Sequence, residues 1–462
     1  MTDRRLIEDS LPLAEISEYS AKEKSIRHGH ISTLHLWWAR RPLAAARAAT
    51  MAALMPAPRS EEERQEFHRT ITGALDWDLV RNPHAFTDQL RPTTNRFWPD
   101  RPPRILDPFS GGGALPLEAA RVGADTYATD LNPVAHLIEL CTLHYPQRFS
   151  HLRSELSAED SLTGKSRLIA EIERWGAEVQ RRIVADLSEI YATDDGKQSL
   201  FYVWARTVTC ANPSCRCTIP LAGSWYLVKK AQYVHALRPV VDHGTKSIRF
   251  DLVEDPTDYD PGAGTVSGGK VTCPVCEQTF ASAHIKKEGV AGRLGHRMLA
   301  VAVEVAGRRE FRLPSSREES ILDRLDATSI PRVNGLPAVP DEPLPPKKTL
   351  GFRVQPYGFT KWGDIYNTRQ IVAMTTISRH VASIGAEVEA AVSDLGGDAP
   401  EFGRAVATYL GLCASRLSGF MSTIAILKYA GGRGVNHTFR MQALPMTWDY
   451  AESNPLNTTA AS

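Results

Sequence analysis

The sequence predicts an α/β fold, and three observations support that prediction. A short strand-like run at residues 104–106 is followed by three glycines and a helix-like segment at 114–122. A second strand-like run ends at Asp130, about 20 residues beyond the first. Residues 168–191 carry apolar side chains at three- and four-residue intervals, which is typical of a long amphipathic helix. Strand, glycine turn, helix and strand in this order indicate a sheet with helices packed beside it.

The glycine turn is a candidate cofactor site. Glycine adopts positive φ at little cost and lets a ligand approach the backbone, and the N-terminus of the following helix favours a carboxylate. S-adenosylmethionine carries such a carboxylate, and an acidic residue at the end of the next strand has the spacing that suits ribose hydroxyls. A dinucleotide site and a turn without a ligand are the alternatives. The candidate residues are Asp107, Pro108, Phe109, Ser110, Gly111, Gly112, Gly113 and Asp130.

The composition is that of an ordinary globular protein. Of the 462 residues, 42% are hydrophobic and 23% are charged, which argues against a disordered or fibrous chain. No apolar stretch approaches the length of a membrane span, and the N-terminus lacks the apolar core of a secretory signal, so we expect a cytoplasmic protein. Lys and Arg (54) nearly balance Asp and Glu (53), so net charge neither indicates nor excludes nucleic-acid binding.

Five of the seven cysteines lie between residues 210 and 276. In a reducing compartment, such clustering favours a metal site over disulfides. The second pair is a Cys-x-x-Cys turn, and the first pair is Cys210 with either Cys215 or Cys217; the looped-out residues 212–214 favour Cys215. Four thiolates would form a closed, structural Zn²⁺ site, whereas a redox pair would require a βαβ context that is missing here. The predicted ligands are Cys210, Cys215, Cys273 and Cys276.

The sequence suggests six regions. They are an N-terminal segment at 1–55, a cofactor-binding half-domain at 56–150 whose residues 56–100 form a polar surface excursion, a connecting helix at 160–200, a zinc ribbon with a β insertion at 201–300, a proline-rich linker or extended wrap at 331–348, and a helical region at 349–462 with helices at 367–392 and 402–428.

The N-terminal segment contains His-Leu-Trp-Trp-Ala-Arg-Arg-Pro-Leu at residues 35–43. Adjacent tryptophans and arginines either form a stacking and phosphate-binding surface or an aromatic plug from which the arginines extend to solvent. Residue types alone do not separate these two interpretations.

These motifs together resemble the zinc-ribbon-containing family of adenine-specific DNA methylases. Residues 107–113 are similar to the Asp-Pro-Phe-x-Gly-x-Gly signature of amino-methylating DNA methyltransferases. Residues 362–370 (Trp-Gly-Asp-Ile-Tyr-Asn-Thr-Arg-Gln), 437–439 (His-Thr-Phe) and 442–450 (Gln-Ala-Leu-Pro-Met-Thr-Trp-Asp-Tyr) extend the likeness over nearly the full length.

The resemblance implies a partial Rossmann-like fold of an S-adenosylmethionine-dependent methyltransferase, with an inserted zinc ribbon and flanking helices. It also implies DNA as the partner, adenine N6 as the acceptor, and S-adenosyl-L-methionine and a structural Zn²⁺ as cofactors. In addition, it places Arg40, Arg41 and Pro42 at the cofactor site.

The sequence departs from that family in one respect. Amino-methyltransferases use an Asp/Asn/Ser-Pro-Pro-Tyr/Phe motif to hold the flipped base, and the Pro-Pro pairs of this chain, at 102–103 and 345–346, lack the flanking acceptor and aromatic residue. No catalytic residue is therefore assigned. We expect the chain to correspond to the N-terminal half of a larger methylase: a fragment, a split form whose catalytic half lies on a partner polypeptide, or a truncated relic. A non-catalytic cofactor- or nucleic-acid-binding module and an RNA methyltransferase are the alternatives.

Six basic residues near the cysteine pairs either contact phosphates or simply form a solvated surface. They are Lys229, Lys230, Lys286, Lys287, Arg293 and Arg297.

Overall fold

A computed structural model describes residues 4–26, 29–82, 89–191, 196–197, 199–231, 233–327, 330, 332, 335–430 and 434–457. The α-helices are α1 (Leu13–Glu23), α2 (Leu43–Leu54), α3 (Glu61–Gly73), α4 (Trp77–Arg81), α5 (Arg91–Phe97), α6 (Ala114–Arg121), α7 (Pro133–Glu139), α8 (Tyr145–Phe149), α9 (Ala158–Thr163), α10 (Arg167–Tyr191), α11 (Ser282–Val290), α12 (Ser316–Glu319), α13 (Thr368–Ala391) and α14 (Ala399–Ser418). The strands are β1 (Arg104–Asp107), β2 (Asp125–Ala128), β3 (Ser199–Thr209), β4 (Thr218–Leu221), β5 (Tyr226–Lys230), β6 (Tyr233–Asp242), β7 (Ser247–Glu254), β8 (Val266–Ser267), β9 (Lys270–Thr272), β10 (Thr279–Ala281), β11 (Gly295–Val305), β12 (Arg308–Arg312), β13 (Ile426–Leu427), β14 (Val435–Asn436) and β15 (Asp449–Ser453).

The chain divides into two compact units. The first comprises Met1–Trp175 with Ile384–Cys413, and the second comprises Gly176–Ser383 with Ala414–Ser462. Helices α10, α13 and α14 contribute residues to both.

The first unit contains the parallel pair β1–β2, in which Asp107 lies opposite Ala128. A buried cluster of Leu43, Ala46, Ala114 and Leu117 joins α2 to α6. At the same place the buried Arg47 guanidinium pairs with the buried Glu118 carboxylate at 2.5 Å and donates to the Ala74 carbonyl oxygen. The turn at the end of β1 is therefore fixed by a packed helix pair with an internal ion pair.

The expectation of a polar surface excursion at residues 56–100 is wrong. This stretch forms α3, α4 and α5, and Phe67 and Ile71 of α3 are almost completely buried in a hydrophobic cluster. Ile105 of β1 packs against the same cluster. The buried face of α3 was not predicted because most of the helix is charged or polar. Phe67 and Ile71 are the only buried residues among its 13 positions.

The second unit is built from antiparallel sheets. Its main sheet has the order β12–β11–β3–β15, and β4 pairs with the end of β3. A second sheet has the order β5–β6–β7, and a third has the order β10–β9–β8. The hydrophobic core includes Phe201, Val203 and Ala205 from one face of β3. The structure is thus mixed α and β, and the only parallel pair among the strands that it describes lies in the first unit.

Part of the predicted proline-rich segment packs against the second unit. Pro331 lies outside the described residues. Leu344 is buried and donates its N–H to the Thr360 carbonyl oxygen at 2.8 Å, and the Pro345 carbonyl oxygen accepts from Gln355 at 2.7 Å. These contacts agree with the extended wrap rather than with a free linker.

The predicted helix at 402–428 ends earlier than expected, at Ser418. Beyond it, the Gly419 carbonyl oxygen accepts hydrogen bonds from both the Thr438 N–H and its hydroxyl. Thr423 donates its hydroxyl to the Ile365 carbonyl oxygen. Side-chain hydroxyls that donate hydrogen bonds to backbone carbonyl oxygens in this way favour turns over a helix.

Among the helices that the structure describes, none combines the length and the apolar composition that a membrane crossing requires.

Candidate functional site

The turn after β1 brings together the residues predicted to bind a cofactor. Gly111 and Gly113 have φ of 55° and 75°, in the left-handed region that favours glycine. Gly113 is the residue directly before α6. The Asp107 carboxylate accepts a hydrogen bond from the Phe109 N–H at 3.2 Å. Strand, turn and helix therefore follow one another as the sequence predicted.

Asp130 joins this turn to the end of β2. One carboxylate oxygen accepts from the Gly111 N–H at 2.8 Å and the other accepts from the Asn132 N–H at 2.8 Å. Each carboxylate oxygen has two lone pairs, so each retains capacity for one further donor, such as a ribose hydroxyl. The position also has a structural role that the sequence did not indicate, because Asp130 fixes the glycine turn against its neighbouring strand.

Trp37 packs on the glycine turn. A Cβ atom built on Gly111 would lie 2.7 Å from the Trp37 ring nitrogen, and one built on Gly112 would lie 3.3 Å from the same ring. Contacts below 3.0 Å essentially never occur at a real Cβ. The N-terminal motif and the glycine motif, more than 70 residues apart in sequence, thus form one site.

The arginines of the N-terminal motif are exposed. Arg40 and Arg41 lie in the loop before α2, and Pro42 directly precedes its first residue. The buried Glu23 carboxylate caps this helix by accepting from the Leu43 and Ala44 N–H groups at 3.0 and 3.1 Å. The loop is therefore held at its helical end, and both guanidinium groups are presented to solvent.

Glu139 is a buried residue of this site that the sequence analysis missed. Its carboxylate contacts the Ser110 hydroxyl, and a Cβ built on Gly113 would lie 3.3 Å from its side chain. Burial raises the pKa of Glu139, and the negative charge of Asp130 adds to that effect, while the hydrogen bond with Ser110 opposes it. Glu139 lies in an ordinary helical pattern, so the sequence did not indicate that it belongs to this site.

The outer face of the β1–β2 pair carries exposed apolar side chains. Leu106 and Tyr127 are direct partners across the pair and are 64% and 57% exposed. Phe109 and Leu131, beside the turn, are 86% and 98% exposed. A groove of about 1230 Å³ runs along β2 from Asp125 to Thr129. A parallel sheet is normally covered on both faces, and among the described residues this face is not.

The five clustered cysteines of the second unit converge at the ends of two hairpins. The sulfur atoms of Cys210, Cys215, Cys217 and Cys273 all lie within 4.8 Å of one another and are buried. Cys276 lies 3.8 Å from Cys210. Both predicted knuckles therefore meet.

The sulfur distances separate the predicted ligands from the spare thiol. A tetrahedral site with Zn–S bonds of about 2.3 Å places its sulfur atoms about 3.8 Å apart. The Cys210–Cys276 and Cys215–Cys273 distances are 3.8 and 3.9 Å. Cys217 lies only 3.3 Å from Cys273, which is too short for two ligands of one tetrahedral ion.

Backbone geometry gives the same assignment. Cys273 donates its N–H to the Gln278 carbonyl oxygen, two residues beyond Cys276. Cys210 donates to the Cys217 carbonyl oxygen, two residues beyond Cys215. Arg216 lies between Cys215 and Cys217 and has a positive φ of 55°. Glu277 lies between Cys276 and Gln278 and has a positive φ of 59°. Cys215 therefore corresponds to Cys276, and Cys217 corresponds to Gln278.

The thiols differ in their electrostatic surroundings. Burial raises the pKa of Cys210 to about 12. A hydrogen bond from the Gln278 backbone, assisted by the Asn212 side chain, lowers the pKa of the less buried Cys276 to about 7. Because metal binding requires thiolates, Cys276 is the more readily ionised of these two ligands and Cys210 the less readily ionised.

Most of the candidate phosphate-binding cations are engaged within the protein. Arg293 forms two hydrogen bonds with Glu288, and Arg297 donates to the Ile248 carbonyl oxygen at 2.5 Å. Lys229 and Lys286 lie over the rings of Tyr226 and Tyr357. The other two, Lys230 and Lys287, are exposed.

Two of the sequence blocks that extend the family resemblance, 362–370 and 442–450, contribute to a buried polar cluster. Arg369 donates to the Glu452 carboxylate at 2.9 Å, and both side chains are at most 1% exposed. The Tyr191 hydroxyl donates to the same carboxylate oxygen at 2.9 Å. Asn367 donates to the Tyr450 hydroxyl at 2.9 Å. These residues hold α13 against β15, which is a structural rather than a catalytic arrangement.

Comparison with known proteins identifies one related region. Residues 10–73 match a family described as "Protein of unknown function (DUF1156)". This match includes the Trp37 segment and its helix α2. No curated protein and no solved structure matches the chain.

Proposed function

We propose that the protein is the cofactor-binding part of an S-adenosylmethionine-dependent methyltransferase that acts on adenine N6 in DNA. The observation that carries this proposal is the glycine turn of residues 111–113, which lies between parallel strands and is tied by Asp130 to the end of β2. The similarity of residues 107–113 to the amino-methyltransferase signature supplies the reaction class.

The residues of the turn would bind and orient the cofactor. Asp107 and Asp130 present carboxylate oxygens at neighbouring strand ends, and the N-terminus of α6 favours the carboxylate of a methionine group. When bound, S-adenosylmethionine supplies a methyl group activated by its sulfonium. Trp37 excludes water from one side of the turn, and holding two reactants in line accounts for much of the catalysis in such transfers.

The cysteine cluster would hold a structural Zn²⁺. The Cys210–Cys276 and Cys215–Cys273 distances are those expected in a closed tetrahedral site, so the metal would stabilise the hairpins and take no part in methyl transfer. Thiolate ligands belong in a reducing compartment, and the proposal therefore places the protein in the cytoplasm.

A second candidate function is a cofactor-binding module completed by a partner polypeptide. It is favoured by the bare face of Leu106 and Tyr127 and by the missing Pro-Pro-Tyr/Phe motif. In this arrangement the partner would supply the acceptor that binds the target amine.

Calorimetry with S-adenosylmethionine on the zinc-loaded protein tests the proposal. We expect saturable binding, and we expect Asp107→Asn and Asp130→Asn each to weaken it about 10-fold or more, because hydrogen bonds to a charged group contribute about 1.5–3 kcal/mol. Asp125→Asn makes the same change at the exposed start of β2 and serves as the matched control.

Equal losses in all three variants, or no binding by the unaltered protein, would contradict a cofactor site at this turn. Preferential binding of NAD would instead favour the dinucleotide interpretation.

A further inference from the structure

The second unit contains a cavity that the proposed function does not use. Its volume is about 590 Å³, and it is lined by residues of β5, β6, β7 and β12 together with Tyr429. Tyr233 of β6 donates its hydroxyl to the Arg309 carbonyl oxygen of β12 at 3.2 Å, which fixes one wall against the other. Volumes of about 300–1,000 Å³ are typical of sites for small organic ligands.

Two tyrosine rings are presented at this cavity. Tyr233 and Tyr429 are 37% and 38% exposed. Each ring contacts a second aromatic ring: Tyr233 contacts His235, with centroids 4.3 Å apart, and Tyr429 stacks on Tyr226 at 5.9 Å. Rings held by such contacts lose little freedom when a flat ligand stacks on their exposed surface.

Three cations line the same cavity: Lys230, Arg308 and Arg309. Among the described residues, none of the three has a carboxylate partner within ion-pair distance, although Arg309 lies over the Phe201 ring at 5.4 Å. Arginine and lysine side chains that are not already paired are suited to phosphate. Two carboxylates, Glu254 and Glu310, also line the wall.

We propose that this cavity binds one nucleotide of a single-stranded nucleic acid. The base stacks on Tyr233 or Tyr429, and the flanking phosphates contact Lys230, Arg308 and Arg309. The carboxylates accept hydrogen bonds from base N–H groups, such as the N3–H of thymine. Aromatic stacking combined with basic side chains is the general mode of single-strand binding. All the residues belong to the second unit, so the proposal requires neither cofactor binding nor methyl transfer.

Fluorescence anisotropy with a labelled oligothymidylate of about 12 nucleotides tests this proposal on the zinc-loaded full chain. We expect binding that weakens with salt, and we expect Arg308→Glu and Tyr429→Ala each to reduce affinity about 10-fold, since stacking contributes about 1–3 kcal/mol per base. For Arg308→Glu the slope of log affinity against log salt should also fall by about 0.7. Tyr429→Ala should leave that slope unchanged, because it removes no charge.

Lys347→Glu is the matched control, because Lys347 is an exposed cation of the same unit away from the cavity. Circular dichroism verifies that each variant is folded. Equal weakening by Lys347→Glu, or full affinity in both cavity variants, would overturn the proposal.

A second arm distinguishes a strand from a free nucleotide. If thymidine monophosphate saturates the cavity and the oligothymidylate does not bind, a free nucleotide is the ligand and the single-strand proposal fails. If a DNA duplex of the same length binds as well as the single strand, the proposal also fails, because paired bases cannot stack on the tyrosines. S-adenosylmethionine calorimetry on the same variants should be unchanged, so failure here is separable from failure of the proposed function.

Discussion

Ser110 has one hydroxyl hydrogen and two acceptors within reach, the Thr129 carbonyl oxygen at 2.8 Å and the Glu139 carboxylate. With Glu139 ionised, one of these contacts lacks a hydrogen. With Glu139 protonated, its own O–H donates to Ser110, and Ser110 donates to Thr129, so both contacts are satisfied. The raised pKa of Glu139, which arises mainly from burial, agrees with the protonated arrangement.

This arrangement predicts a pH dependence of folding. A carboxyl group whose pKa is higher in the folded than in the unfolded protein binds its proton more tightly when folded, so the free energy of unfolding falls as pH rises from the ordinary value of 4.5 through the raised value. Glu139→Gln supplies a permanent N–H donor. We expect this variant to lose that part of the pH dependence and to be the more stable protein above the raised pKa.

Urea unfolding of both proteins between pH 4 and pH 8 measures the effect. All other titrating groups, including the cysteines, are shared by the two proteins. Their contributions to the free energy of unfolding therefore cancel when one profile is subtracted from the other. Parallel profiles would mean that Glu139 is ionised in the folded protein and that Ser110 satisfies only one acceptor.

At the scale of the elements, two turns of different length build one cysteine cluster. In the first turn six residues separate Cys210 from its hydrogen-bond partner Cys217, whereas in the second turn four residues separate Cys273 from its partner Gln278. The first loop has two more residues than the second, but the same backbone hydrogen bond closes both turns. The two turns therefore begin and end in the same way. Sequence spacing alone therefore could not choose between Cys215 and Cys217, whereas the hydrogen bonds do.

We expect Cys215→Ser to reduce zinc affinity by more than the roughly 10- to 100-fold that changes outside the ligand shell produce. Cys217→Ser should retain one zinc per chain, because Cys217 occupies the position of Gln278 beyond the knuckle. Metal content after dialysis against a graded chelator compares the two variants, which make the same chemical change two residues apart. Loss of zinc from Cys217→Ser, with retention by Cys215→Ser, would reverse the assignment.

Local patterns predicted local structure well. The strand at 104–106 and the helix at 168–191 both appear within one or two residues of the expected bounds. Each depends on a periodicity or a turn that short segments carry by themselves.

Long-range pairing could not be predicted in this way. Strand β15 lies beside β3, with Tyr450 opposite Trp204, although about 245 residues separate them along the chain. The same pairing buries Glu452, whose partner Arg369 comes from a third segment. Only the fold brings these positions together, so the sequence did not indicate their buried pairing.

At the scale of the whole molecule, the glycine turn and the cysteine cluster belong to different units with separate hydrophobic clusters. The cysteine cluster is continuous with the core of its own unit, because Cys210, Cys215, Cys217 and Cys273 are members of the cluster that contains Phe201 and Val203. The free energy of metal binding is therefore part of the folding free energy of that unit.

Removing the metal should consequently affect the two units unequally. We expect a chelator to increase amide hydrogen exchange first in residues 210–217 and 273–278, then in the strand pairs β3–β4 and β9–β10 that these turns connect. Exchange at residues 114–121 should change little, because α6 is held by the Arg47–Glu118 pair and the cluster around Leu43. Hydrogen-exchange mass spectrometry with and without chelator measures both regions in one sample. A simultaneous increase in both regions would show that the two units unfold as one cooperative body. Unchanged exchange at residues 114–121 without zinc would show that the metal stabilises only the unit that contains the cysteines.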